Sequence, residues 1–151
     1  MIKKFENFNQ ELEVKEAWYK NGQKWYEFWY KNDKYHREDG PARQGWYDNG
    51  QKKYESWGLN GKKHREDGPG HQVWYENGQK NYEHWYLNNE LHREDGPANQ
   101  GWYENGQKKY ENWYLNGEKY TREEWIEELK NIGSPHYKEQ KILYDMEKYN
   151  L

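Results

Sequence analysis

A tryptophan followed by a tyrosine returns every 28 residues, at Trp18-Tyr19, Trp46-Tyr47, Trp74-Tyr75 and Trp102-Tyr103, and each pair opens the same phrase, Trp-Tyr-x-Asn-Gly-Gln-Lys. A second signature, His-Arg-Glu-Asp-Gly-Pro, recurs in register at His36, His64 and His92. A period held this strictly is the mark of a linear array, in which each module buries its apolar face against its neighbours. Such a chain spreads its surface along a line and is a binding or structural body far more often than a catalyst.

The turn grammar sets the fold class. Within a unit the phrase recurs in short form eleven residues on, as Trp46-Tyr47-Asp48-Asn49-Gly50 and then Trp57-Gly58-Leu59-Asn60-Gly61. Asn-Gly between alternating flanks is a strong hairpin signal, because both residues tolerate the positive φ of a type I′ turn. Asparagine leads all eight turn slots: Asn21, Asn49, Asn60, Asn77, Asn105 and Asn116 precede glycine, while Asn32 and Asn88 precede Asp33 and Asn89. This pattern predicts eight type I′ turns joining antiparallel strands. From Gln107 to Leu115, Tyr110 and Tyr114 fall on one face, Trp113 and Leu115 on the other. Asp67-Gly68-Pro69 removes a backbone donor and makes the corner between modules. The expectation is a mainly β fold: four hairpin units of 28 residues in an elongated twisted ribbon, eight strands spanning roughly 40 Å at about 4.8 Å per strand.

The ends depart from the array. Residues 1–17 are expected as an N-terminal cap, with an irregular strand from Phe5 to Val14, residues 18–120 as the array, and residues 121–151 as a short helical C-terminal cap, all in one folded body. Thr121 and Glu124 form a capping box ahead of the apolar face Trp125, Ile126, Leu129. Gly133-Ser134-Pro135 breaks that helix. Ser134 as N-cap and Pro135 at the first position then start a second, with Ile142, Leu143 and Met146 as its buried stripe. Covering the open sheet end would block edge-to-edge polymerisation.

The composition decides what fills such a fold. Charged residues make up 34% of the chain and mean hydropathy is -1.77, so aliphatic side chains are too scarce for an ordinary core; 10 Trp and 16 Tyr must supply it. Cations and carboxylates balance between Trp18 and Tyr120, so the formal charge of -3 lies in the flanks, and no global field marks nucleic acid as a partner. The first two units lean positive, which leaves a local basic patch. The absence of cysteine excludes disulfides and thiolate chemistry. No apolar run spans a membrane or resembles a signal peptide, and the expected compartment is the cytoplasm. Heavy use of Lys, Asn, Tyr and Glu suggests an AT-rich genome, that of a low-GC bacterium or its phage.

The Trp-Tyr-x-Asn-Gly-Gln-Lys units from Trp18 to Tyr120 resemble MORN-type repeats, in particular the bacterial variant typified by YwqK-family antitoxins. The resemblance implies serial β-hairpins and a role in binding proteins or membranes, with no catalytic residues to transfer. The inserted His-Arg-Glu-Asp-Gly-Pro corner departs from the family and weakens the implication of lipid binding. A fainter likeness, to choline- or glucan-binding repeats, also rests on Trp-Tyr hairpins.

Two sets of residues compete as the functional surface. The positions that differ between units are Trp25/Lys53/Asn81/Lys109, Phe28/Ser56/His84/Asn112 and Arg43/His71/Asn99. Such side chains are expected to face solvent, and an asymmetric protein partner would read Trp25, Phe28, Arg43, Lys53, His71 and His84. A small ligand held once per unit, a nucleotide or carbohydrate, would instead use the invariant His36, Arg37, His64, Arg65, His92 and Arg93. The structural alternative for these corners is a ladder of arginines paired with carboxylates of adjoining units. Successive strand residues point to opposite faces, so His64 and Arg65 should not share one site. Trp29, Trp57, Trp85 and Trp113 read as core. No metal, cofactor or catalytic motif is present, and His136 lacks triad partners. The expectation is a non-enzymatic protein-binding module, for example a phage-encoded inhibitor or antitoxin-like blocker of a nucleic-acid-processing defence enzyme.

Overall fold

The structure is a computed structural model that describes residues 2–7 and 10–150, with the side chains of residues 12–150. The chain is mainly β, with antiparallel sheets and two C-terminal helices. The first three strands are β1 (Ile2–Asn7), β2 (Gln10–Trp18) and β3 (Lys24–Lys31), with the short β4 (Lys34–Tyr35) folding back on β3. Then come β5 (Arg43–Trp46), β6 (Lys52–Ser56), the side hairpin β7 (Gly58–Leu59) and β8 (Lys62–Lys63), β9 (His71–Trp74), β10 (Lys80–His84), and a second side hairpin, β11 (Tyr86–Leu87) and β12 (Glu90–Leu91). Strands β13 (Asn99–Trp102), β14 (Lys108–Leu115) and β15 (Glu118–Tyr120) precede helices α1 (Arg122–Asn131) and α2 (Tyr137–Tyr149). The main sheet runs β1-β2-β3-β5-β6-β9-β10-β13-β14-β15. Eight strands were too few: the corner cuts the long return segment into two pieces, and the leader, expected as one irregular strand over Phe5 to Val14, pairs as the β1-β2 hairpin. Residues 8–9 of that leader lie outside the described residues.

The eight turns are of two kinds. At Asn32-Asp33, Asn60-Gly61, Asn88-Asn89 and Asn116-Gly117 both residues have positive φ, as a type I′ turn requires. At the Trp-Tyr turns only glycine does: Gly22, Gly50, Gly78 and Gly106. There the Gly22 N–H donates to the Tyr19 carbonyl (3.0 Å) and the Tyr19 N–H to the Gln23 carbonyl (2.8 Å), a three-residue loop ending in a glycine bulge. Expecting type I′ at all eight overlooked the asparagine side chain. Asn21 Oδ1 accepts the Gln23 N–H, and its Nδ2 reaches the Asp48 carbonyl in the next unit. That local bond holds asparagine out of the left-handed region.

Each unit is completed by the one after it. The hydroxyls of Tyr19, Tyr47 and Tyr75 donate to the carbonyls of Trp46, Trp74 and Trp102. The Arg37, Arg65 and Arg93 N–H groups donate to the carbonyls of Gly58, Tyr86 and Tyr114, and Gly61, Asn89 and Gly117 donate back to Tyr35, Lys63 and Leu91. Beyond the last unit the helices take over. Thr121 and Glu124 form the expected capping box, and Trp125, Ile126 and Leu129 are buried with Trp113 and Leu115 against Tyr120, Tyr137 and Tyr144. Trp125 Nε1 donates to the Arg93 carbonyl and Gln140 Nε2 to that of Asp95, so the helices seat on the third corner.

Helix α2 differs from its sequence reading twice. It begins at Tyr137 after His136; Ser134 caps only the turn that leads into it, its hydroxyl oxygen accepting the His136 N–H at 3.2 Å while the hydroxyl donates to Glu94. Ile142, Leu143 and Met146 are exposed, at 59%, 42% and 46%, because the helix turns Tyr137, Gln140 and Tyr144 toward the protein. A polar side chain reaching the corner backbone outcompetes the more apolar stripe. Among the described residues no helix is long and apolar enough to cross a membrane.

Candidate functional site

Strand pairing sets a row of non-repeating residues on one face of the sheet and a repeating polar ladder on the other. On one face, cross-strand partners run Glu16, Glu27, Gln44, Glu55, Gln72, Glu83, Gln100, Glu111. Gln44 Nε2 donates to Glu27 (3.0 Å), and Gln72 and Gln100 both donate to Glu83. Lys24, Lys52, Lys80 and Lys108 bind the glutamate three residues on. Burial acts to raise the Glu83 carboxyl, but the Lys80 bond and charge, with bonds from Gln100 and Trp85, hold it below its ordinary range; Glu27 is held low in the same way. From Glu27 onward this ladder is built from residues that repeat in register, and it was missed in the sequence because its members lie 11 and 17 residues apart in alternation and meet only once the pairing register is known.

The opposite face collects what varies. Its central row runs Lys15, Phe28, Arg43, Ser56, His71, His84, Asn99, Asn112, each the Cα partner of the next. Beside it Ala17, Tyr26, Gly45, Tyr54, Val73, Tyr82, Gly101 and Tyr110 form a second row, where tyrosine rings lie over the glycines so closely that a Cβ on Gly45 would stand 2.5 Å from Tyr54. The remaining variable set, Trp25, Lys53, Asn81 and Lys109, occupies the bulges: each is the extra residue where the register slips. A bulge turns its side chain out of the pleat. The expectation that variable residues face solvent therefore holds for Trp25, Lys53 and Lys109 but fails for the row, which is half-buried, with Ser56 at 7% exposure.

His71 and His84 are thus not surface histidines. His71 Nδ1 bonds the Glu55 carbonyl at 3.0 Å, which requires the proton on that nitrogen, and Nε2 faces the Tyr82 hydroxyl at 3.4 Å. Burial first, then the charges of Lys63 and His84, push His71 down to about 4; burial and Lys63 also lower His84.

A groove of about 410 Å³ opens in this face, lined by Arg43, Lys53, Tyr54, Ser56, Lys63, His71, Val73 and Tyr82. It brings together three expected partner-reading residues, Arg43, Lys53 and His71. Trp25 and Phe28 lie apart in a run of rings, Trp25 to Tyr26 at 5.3 Å and Tyr26 stacked on Phe28 at 4.7 Å, while His84 packs 6.2 Å from His71. Lys63 escaped notice in the sequence. Its signal was there, since the positions in register with it are Tyr35, Leu91 and Lys119, another non-repeating set.

The invariant corners have a structural task. The Nδ1 atoms of His36, His64 and His92 accept the N–H of Asn60, Asn88 and Asn116, the first residue of the next type I′ turn. Arg37, Arg65 and Arg93 lie over Trp29, Trp57 and Trp85 at 4.4, 4.0 and 3.8 Å, and Arg122 covers Trp113. These tryptophans are half-buried under cations, and only Trp113 joins an apolar core. Each arginine pairs with the aspartate two residues on in its own corner, at 2.7 to 2.9 Å, and not with adjoining units. The corner is a bend rather than a strand, so the alternation argument does not apply there: His92 and Arg93 line one cleft with Arg65 and His136, about 520 Å³. Asp95 already pairs with Arg93, and Glu94 faces His92 Nε2.

No family model, curated protein or solved structure matches the chain. Among the described residues no group of three or more His, Asp or Glu could hold a metal ion.

Proposed function

We propose that the chain is a non-enzymatic binding module, an elongated ribbon of four 28-residue MORN-like units that recognises one asymmetric protein partner through its variable face. The supporting observation is the segregation itself. Every residue that breaks the repeat among Phe28, Arg43, Ser56, His71, His84 and Asn99 falls in one cross-strand row, while the opposite face carries the repeating Glu/Gln ladder. A partner that bound each unit alike would leave no use for such a row.

The anchor lies at the first bulge. Trp25 is 50% exposed and continuous with Tyr26 and Phe28, and large aromatic residues desolvated at a contact supply most of the energy of a typical interface. Lys15, Arg43 and Lys53 form the polar rim that sets specificity. An inhibitor or antitoxin acting by stoichiometric occlusion of an enzyme, one of phage origin included, is the concrete form of this reading. The test is a tagged pull-down read by native mass spectrometry with the wild type and the double variant Trp25→Ala, Phe28→Ala. One protein at fixed stoichiometry, lost in a variant that keeps its circular dichroism and melting temperature, is the expected result. Equal capture by the variant would overturn the surface assignment.

A further inference from the structure

The cations that recur in register from unit to unit are spoken for. Lys24, Lys52, Lys80 and Lys108 are ion-paired to glutamate, and Arg37, Arg65 and Arg93 to aspartate. The groove on the variable face breaks that rule. Arg43, Lys53 and Lys63 converge on it and no carboxylate lines it. Arg43 stacks its guanidinium on Tyr35 and Phe28 at 4.6 and 5.3 Å, and its Nε is buried with no hydrogen-bond partner. Burial, and then the Arg43 charge, hold Lys63 below the usual lysine range, so the two cations sense each other with no anion between them.

The unit-to-unit differences make this groove singular. Its floor is Ser56, the smallest residue of the central row, where the other units place Phe28, His84 and Asn112. One unit earlier the equivalents of Lys53 and Lys63 are Trp25 and Tyr35, which fill the space with rings; one unit later they are Asn81 and Leu91, which remove the charge. The last unit keeps both lysines, as Lys109 and Lys119, but sets Asn112 at the floor and Asn99 in place of Arg43, so only here does an arginine join them over a serine. Tyr54 and Tyr82 wall the space, Ser56 and Tyr82 bring hydroxyls, and the volume falls at the lower end of the range of small-molecule sites, about 300 to 1,000 Å³.

We infer that this groove is a binding site for a small organic phosphate, its phosphate group held by Arg43, Lys63 and Lys53 with the Ser56 hydroxyl, and its organic portion lying against the rings of Tyr54 and Tyr82. Arginine offers a planar fork of donors and lysine a mobile point charge, a pairing suited to a tetrahedral oxyanion. The site occurs once per chain, not once per unit; it shares Arg43 and Lys53 with the rim of the proposed protein surface, while Trp25 and Phe28 do not line it.

The experiment is calorimetric titration of the intact chain with inorganic phosphate and with adenosine monophosphate at constant ionic strength, with the His71 ring protons followed by NMR. One saturable site is expected, with His71 shifting as the ligand binds and titrating at higher pH once an anion offsets its cationic neighbours. Affinity should fall about tenfold, the loss of one charged hydrogen bond, in both Arg43→Gln and the exposed Lys53→Gln. It should stay unchanged in Lys109→Gln, the same bulge position outside the groove. Tighter binding of the monophosphate than of inorganic phosphate places the organic portion on the tyrosines; equal binding overturns that half of the inference. No saturable binding, several equivalent sites, or equal loss in Lys109→Gln would overturn the site altogether, while leaving capture of a protein through Trp25 and Phe28 to be judged on its own assay.

Discussion

His64 Nδ1 accepts the backbone N–H of Asn88 at 3.2 Å, a bond from one corner to the turn of the following unit. The same ring presents Nε2 to Glu66 at 3.5 Å. A turn residue held at positive φ keeps its N–H in place only while that acceptor is present. Replacing His64 with leucine removes the acceptor of this exposed N–H, which water can then take up, and should destabilise the chain by about 0.5–1.5 kcal/mol. Urea unfolding would read this as a lower midpoint at unchanged slope; a midpoint equal to the wild type would deny the histidine its role.

Gly68 sits under the Arg65 guanidinium, and a Cβ there would meet Arg65 Cζ at 2.7 Å. Gly68→Ala should therefore push the flexible guanidinium off the Trp57 ring and cost about 0.5–2 kcal/mol, the worth of the cation–π contact. Gly22→Ala supplies the contrast. No atom lies within 4 Å of its Cβ, but its φ of +86° strains any L side chain, so the loss there would come from the backbone and leave tryptophan fluorescence in the corners unaltered.

Acid should weaken the fold in two stages. His71 binds its proton at about 4 when folded against an ordinary 6.5, so between those values the unfolded chain holds more protons and stability falls as pH falls. His84 contributes in the same direction. The carboxyls of Glu27 and Glu83, held below 4.5, add a second loss below that pH. Unfolding midpoints measured from pH 7 to 3 should decline in this order, and His71→Leu should flatten the upper stage alone.

The two helices should respond oppositely to substitution. Leu129→Ala removes a fully buried side chain from the cluster of Trp113, Trp125 and Ile126 and should cost about 2–5 kcal/mol. Ile142→Glu and Leu143→Lys alter exposed positions and should stay within about 0.5 kcal/mol of the wild type. Thermal melts distinguish the two, and a large loss in the second pair would mean that α2 docks by its other face.

The mainly β class, the corner at Asp67-Gly68-Pro69, the capping box at Thr121 and the buried face of α1 are legible in the sequence because each is a local signal: a turn residue, a ring without an N–H, a side chain three residues from its partner. What stayed hidden depends on register. The bulge at each Trp-Tyr turn moves one strand by a residue, and that slip puts Ser56 opposite Arg43 and Glu55 opposite Gln44. No count of periods reveals it. The α2 stripe misled for a related reason: apolarity along a helix says which face could be buried, whereas the bond from Gln140 to the Asp95 carbonyl decides which one is. The groove at Arg43 joins residues from five strands, and of its parts only the fact of variation is legible in the sequence.

Because Tyr19, Tyr47 and Tyr75 each reach 27 residues ahead to the same kind of carbonyl, a chain edited by one full period would present every junction with a familiar counterpart. Its length is in this sense quantised. Recombination between units could lengthen or shorten the molecule in whole steps without inventing a new contact, whereas a deletion of any other size would strand a hydroxyl, a corner and a turn together.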